Sequence, residues 1–172
     1  KIGAPYELSG KFVSFGSQGQ RGIEMALDAF GNTVAGRKVE FLLKDVQSTN
    51  QGTVTAMTEL LQKDNVDFVI GPVASGLVSA AVPVWRQKKP LWIVTGSSAT
   101  SFEEAIAGED MIFHTYPYAY HYHETTANAL AARIGKGKKV AIIYSDGSYG
   151  RSQFPFAKDA YTQAGFEVVA TE

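Results

Sequence analysis

The chain has 172 residues, 45% of them hydrophobic, and 16 basic against 17 acidic side chains give a formal net charge of -1. That length buries one ordinary core or two small ones, and charge this balanced and dispersed argues against nucleic acid or an anionic membrane as partner. The absence of cysteine excludes disulfides, zinc–thiolate sites and a cysteine nucleophile, and no apolar run approaches the ~20 residues that span a bilayer.

Hydrophobic period predicts a strand over Ile2–Tyr6, a helix over Ser17–Phe30, a strand over Val39–Lys44 and a helix over Gln51–Lys63. A strand at Val66–Ile70, a helix at Gly76–Gln87 and a strand at Leu91–Val94 follow, then a short helix at Ser101–Ala107 and a strand at Met111–Thr115. The last third reads as helix Ala119–Ile134, strand Val140–Ser145, helix Tyr149–Ala164 and strand Glu167–Ala170. Strands separated by helix-length spacers imply an α/β fold with a parallel, doubly wound sheet and right-handed crossovers. Gly31-Asn32, Gly135, Gly137 and Gly165 mark helix stops, while Asn50-Gln51-Gly52 and Thr100-Ser101 offer caps.

The aromatic tract from Tyr116 to His123 breaks the composition of its surroundings, and Pro117 ends the strand before it. It is read as a crossing between a first lobe, 1–116, and the start of a second, 117–172. Two strands and two helices are too few to bury a good core, so the second lobe is expected to be incomplete, finished by the rest of a longer chain or by another polypeptide. The sequence opens directly on a strand at Lys1-Ile2, so any secretory signal is expected to have been removed already.

Two segments share one build: VDFVIGPVASG at 66 to 76 and PLWIVTGSSATS at 90 to 101. Each is a β-branched apolar run that stops in glycine and small hydroxyl residues and leads into a helix. In an open α/β sheet such turns collect at the carboxyl edges of the strands, where N–H groups and hydroxyls suit a small anion or zwitterion. Enzyme motifs are missing: the serine of GPVASG sits one place too late for a G-x-S-x-G elbow, no Walker sequence occurs, and GSQGQRG lacks dinucleotide spacing. Asp45 and Asp146 follow strands without a visible partner. His121 and His123 are spaced to point to different helix faces rather than to one metal, and His114 in an apolar strand reads as a satisfied histidine rather than a ligand.

Four stretches, IGAPYELSGKFVSFGSQGQRGIEMALD, VEFLLKDVQSTNQGTVTAMTELLQKD, the two strand-turn segments and VAIIYSDGSYGRSQFPFAKDAYTQAGFEVV, together resemble the periplasmic-binding-protein family of the branched-chain amino-acid (Leu/Ile/Val) type. These are the extracellular solute receptors of ABC importers. The resemblance implies a type I periplasmic-binding fold of two doubly wound lobes joined by a hinge, a non-enzymatic role without cofactor or metal, and a small carboxylate solute held in an interlobe cleft. It further implies a periplasmic or extracellular location, membrane tethering included, and the membrane subunits of an ABC transporter as partners. By position, Ser75 matches the family's carboxylate-binding serine, and Ser98-Ala99-Thr100 its second carboxylate and ammonium cradle. Phe15 falls at an aromatic wall, and Tyr149 matches a tyrosine from the second lobe. Tyr118 is expected to line the cleft and to favour an aromatic or bulky acid. Where amino-acid-binding members often carry an acidic residue near the crossing, Ala119 or a tyrosine stands here, which weighs against an α-amino acid. A ligand-sensing domain of a regulator and a doubly wound enzyme are the alternative readings.

Overall fold

A computed structural model describes residues 1–172. The chain divides into two compact units, one of residues 1–96 and 105–116, the other of 97–104 and 117–172. The sequence reading drew a single boundary after 116. The segment 97–104 groups with the later residues, where Ser98 accepts from the Ala119 amide and from Gln153.

In the first unit, β1 (Ile2–Tyr6) leads to α1 (Val13–Ala29), a two-stranded ribbon of β2 (Thr33–Val34) and β3 (Arg37–Lys38), and β4 (Phe41–Asp45). Helix α2 (Asn50–Thr58) runs into a π-helical turn at Glu59–Lys63, followed by β5 (Phe68–Ile70), α3 (Ser75–Trp85), β6 (Leu91–Val94) and β7 (Ile112–His114). The five long-range strands form one parallel sheet in the order β4-β1-β5-β6-β7. This is the doubly wound arrangement expected from the alternation of elements, with its order reversing between β1 and β5. The second unit contains α4 (Thr100–Ala105, its last residue grouped with the first unit), α5 (Ala119–Ile134), β8 (Lys139–Ile142), α6 (Ser148–Gln163) and β9 (Glu167–Thr171). Strands β8 and β9 pair in parallel, with a bulge between Val140 and Ala141.

Side-chain size decides how closely β1 packs. A Cβ on Gly3 would lie 3.0 Å from Leu60 Cδ2 and 3.1 Å from Val66 Cγ1, so the strand is pressed onto the helix layer at that point. Pro5 is tolerated in a central strand because of parity. The Ile2 amide bonds the Glu40 carbonyl on the β4 side, so the missing donor at position 5 faces β5, whose pairing with β1 has already ended at Gly3. The buried centre of this unit includes Trp85, Trp92, Met57, Leu60, Leu61, Val69, Val78 and Val94. In the second unit Ala127, Ala164 and Phe166 form the core, flanked by Leu130, Ala131, Val140, Ala160 and Tyr161.

Three local expectations need correction. Helix α1 starts at Val13 rather than Ser17, so Phe15 lies within the helix. Gly16 is the reason the helix starts so early: its Cα abuts the Glu7 main chain with no room for a Cβ. The cap of α2 is Thr49, whose Oγ1 accepts from the Gly52 amide at 2.9 Å, in place of the Asn50-Gln51-Gly52 stretch. The β2–β3 ribbon was not foreseen; Ala35 and Gly36 at φ 49° and 74° make the tight turn that such a ribbon requires. No helix is long and apolar enough to cross a membrane.

Candidate functional site

The carboxyl ends of β1 and β5 diverge where the sheet order reverses, the place at which open α/β sheets receive ligands. Glu7, the first residue past β1, is fully buried. Its Oε1 accepts from the Val73 and Ala74 amides at 3.0 and 2.8 Å. Thus a carboxylate from β1 grips the turn that precedes α3. Burial pushes the Glu7 carboxyl above its usual value, and the Ala74, Glu7 and Val73 amides pull it part of the way back. Its Oε2 has no hydrogen-bond partner.

The same turn is fixed from two other sides. Gly71 at φ 92° presses against the Tyr6 ring, where a Cβ would come within 2.8 Å of Cε1, and its carbonyl accepts from Trp92 Nε1 at 2.7 Å. The Tyr6 hydroxyl meets Thr95 Oγ1 at 3.1 Å. On this frame Ser75 is the first residue of α3 and is 5% exposed. The residue before it, Ala74, occupies the cap position, so the Ser75 hydroxyl does not serve as the helix cap. Because Glu7 already occupies the Val73 and Ala74 amides, an anion at this turn is left with Ser75 itself and the first N–H groups of α3.

Phe15 stacks on Phe12 at 6.2 Å and is about half exposed. It borders a groove of about 640 Å³ along α1, walled by Tyr6, Ile23, Leu27, Ile70 and Val73.

In the second unit, Ser98 and Ala99 are buried and Thr100 is half-buried. The Ser98 carbonyl accepts from the Ala119 amide at 3.0 Å, which brings Tyr118 beside the 97–100 segment. Tyr118 stacks on Tyr120 at 6.0 Å, and Tyr120 donates to Glu103 Oε1 at 3.0 Å. Burial first, then the Glu103 and Tyr120 charges, pushes the Tyr118 phenol up to about 12, so it enters any contact as a neutral hydroxyl. Tyr149 lies in the first turn of α6 and is 54% exposed. Of the residues picked from sequence, Phe15 and Ser75 belong to the first unit, and Ser98, Ala99, Thr100, Tyr118 and Tyr149 to the second.

Sequence reading missed Glu7, Gln153 and the polar role of His123. Glu7 carried a signal, an acidic residue directly after a buried strand at the ligand edge of a sheet. Gln153 is spaced with buried Gly150 and Ala157 on one face of α6, a lone polar residue on an apolar stripe. His114, half-buried, has its Nε2 2.8 Å from the Gly96 carbonyl and is satisfied, as expected.

The sequence matches the periplasmic binding protein family over residues 1–172. Leu/Ile/Val-binding protein homolog 8 of Brucella abortus is 30% identical over 178 residues, covering 98% of this chain and 43% of its own length. Homolog 7 of the same organism is 26% identical over 181 residues, covering 100% of this chain and 45% of its own. A solute-binding protein of an ABC transporter from Rhodopseudomonas palustris, crystallised with 3,4-dihydroxybenzoic acid, superposes with a TM-score of 0.86 at 27% identity, over 99% of this chain and 46% of that one. The chain thus spans about half the length of the relatives it matches. Those relatives are solute-binding proteins rather than enzymes. With the sheet order, the serine-bearing turn at the order reversal and the match along its whole length, the chain belongs to the periplasmic binding protein family.

Proposed function

We propose that this chain is part of an extracellular or periplasmic receptor that binds a small carboxylate and delivers it to the membrane subunits of an ABC importer. The observation that carries the reading is the turn at 71–75. It is braced by Glu7, Tyr6 and Trp92 and presents a buried serine at the sheet's order reversal. A bound carboxylate needs several neutral donors in a desolvated setting, and hydroxyls with main-chain N–H groups provide them. In the first unit Ser75 is the proposed carboxylate donor and Phe15 the apolar surface; in the second, Ser98, Thr100 and the Ala99 main chain are the proposed donors and Tyr118 and Tyr149 the apolar surface. Aromatic surfaces suit an aromatic acid, in keeping with the dihydroxybenzoate held by the Rhodopseudomonas relative; the Brucella names keep leucine, isoleucine and valine as the alternative solutes.

Calorimetric titration of the intact receptor with 3,4-dihydroxybenzoate and with leucine tests this. Binding of either is expected, and Ser75→Ala or Ser98→Ala weakens it by roughly 10- to 100-fold, the worth of one charge-assisted hydrogen bond. Affinity unchanged in both variants removes these serines from the site.

A further inference from the structure

Two polar side chains that the anchoring scheme does not use, His123 on α5 and Gln153 on α6, stand in line with Ser98. His123 Nε2 lies 2.9 Å from Gln153 Oε1, and Gln153 Nε2 lies 2.8 Å from Ser98 Oγ and 3.5 Å from the Ser98 carbonyl oxygen. That last contact, at the limit of hydrogen-bond length, favours one orientation of the amide. A carbonyl oxygen only accepts, and this one already takes the Ala119 amide, so the NH₂ group of Gln153 is the end that suits both Ser98 oxygens. The amide oxygen therefore faces His123, and His123 Nε2 carries the proton between them.

The direction passes to Ser98. Its Oγ accepts from Gln153, which leaves the hydroxyl proton to be given elsewhere. Ser98 and Gln153 are 1% and 5% exposed, so bulk water does not compete to turn them round. In such surroundings each bond in a series polarises the next. Beside it Ser97, 3% exposed and held at φ 70°, has a hydroxyl with no hydrogen-bond partner.

We propose that His123 and Gln153 are positioning residues that bias Ser98 toward donating, so that the site favours an ionised carboxylate over the corresponding neutral amide. The proposal rests on Ser98 contacting the solute carboxylate. An ionised carboxylate offers only acceptors, which suits a hydroxyl biased toward donating. An amide presents N–H groups as well, and for those Ser98 keeps only the one lone pair that Gln153 does not occupy. Gln153→Glu reverses the line: a carboxylate there accepts the Ser98 proton, turns the Ser98 lone pairs outward, repels an anionic solute and suits an amide.

Two measurements decide it. In the ligand-free intact receptor, ¹⁵N shifts of the neutral His123 ring are expected to show the Nε2–H tautomer, and Ser98→Ala is expected to move the Gln153 side-chain amide resonances. The Nδ1–H tautomer, or Gln153 resonances that ignore Ser98→Ala, overturns the proposal. In binding, the preference for 3,4-dihydroxybenzoate over 3,4-dihydroxybenzamide falls at least about tenfold in Gln153→Glu and about threefold in His123→Leu, and is restored in His123→Gln, which keeps a donor. Circular dichroism and heat stability confirm that each variant is folded. A preference unchanged in folded Gln153→Glu overturns the positioning role while the receptor still binds carboxylates. Wild-type protein that binds neither dihydroxybenzoate nor leucine overturns the selectivity together with the carboxylate reading, whatever the tautomer.

Discussion

Replacing Glu7 separates two contributions that the structure keeps in one side chain. Oε1 satisfies the Val73 and Ala74 amides, while the second oxygen is buried without a partner. Glu7→Ala strands both amides; at about 1–3 kcal/mol for each unsatisfied buried group the loss is about 2–6 kcal/mol, before any cavity is counted. Glu7→Gln keeps an oxygen for the amides and deletes the charge, so its stability at neutral pH is expected within about 1 kcal/mol of wild type. The pH dependence has a definite sign. Burial raises the folded carboxyl's pKa, so folding favours the protonated form. The associated stability is present in full below the unfolded value of about 4.3 and is lost as pH rises through the folded value. Glu7→Gln removes that decline. Urea unfolding of the intact protein between about pH 4 and pH 8, followed by the fluorescence of buried Trp85 and Trp92, reads both effects. An alanine cost below about 1 kcal/mol would refute the bracing role, and a wild-type pH slope surviving in Glu7→Gln would refute the charge argument.

Asp45 titrates in the opposite sense: burial would raise it, but the Ser9 hydroxyl and the Gln47, Leu8 and Ser9 amides outweigh burial and hold it below its ordinary range. Its contribution is present above the unfolded value of about 3.9 and disappears as pH falls through the folded one, which carboxyl ¹³C titration of wild type and Asp45→Asn checks. Gly16→Ala drives a methyl into the Glu7 main chain and is expected to cost about 1–3 kcal/mol or more, whereas Gly22→Ala, on the same helix with nothing near, stabilises by about 0.5–1 kcal/mol. Equal melting temperatures for those two variants would remove the close approach at Gly16 as a constraint. Trp92→Phe leaves the Gly71 carbonyl without its 2.7 Å donor and should lower stability by about 1–3 kcal/mol, read from the urea midpoint.

The sheet was legible in the sequence because its strands write themselves as short apolar, often β-branched, runs that stop in glycine and small hydroxyl residues. Leu91–Val94 and Ala119–Ile134 fall where periodicity placed them. The start of α1 was not legible, since the glycines and serines of FVSFGSQG have low helix propensity. What overrides propensity there is tertiary: a helix must pass against the Glu7 backbone, and only glycine at position 16 lets it. Ser75 and Ser98 stood out as small hydroxyls after strands, but the groups that brace or orient them did not. Glu7 reaches a turn near position 73, and His123 reaches Ser98 only through Gln153. Contacts between side chains so distant along the chain leave no mark in local spacing. The bulge in β8, which shifts the pairing after Val140, was equally invisible, because it depends on a partner strand at 167–171.

The central position of β1 also bears on how the first unit is assembled during synthesis. Of the strands in this sheet, the one made first is the one both neighbours need, yet its partners come from positions 41 and 68. Until β5 has emerged, Ile2–Tyr6 has at most one side of its ladder to form, and long loops must close before either pairing gains anything. Assembly of this sheet is therefore late and cooperative rather than progressive. A deletion confined to the first six residues leaves β4 with no strand to pair with and separates it from the β5-β6-β7 remnant.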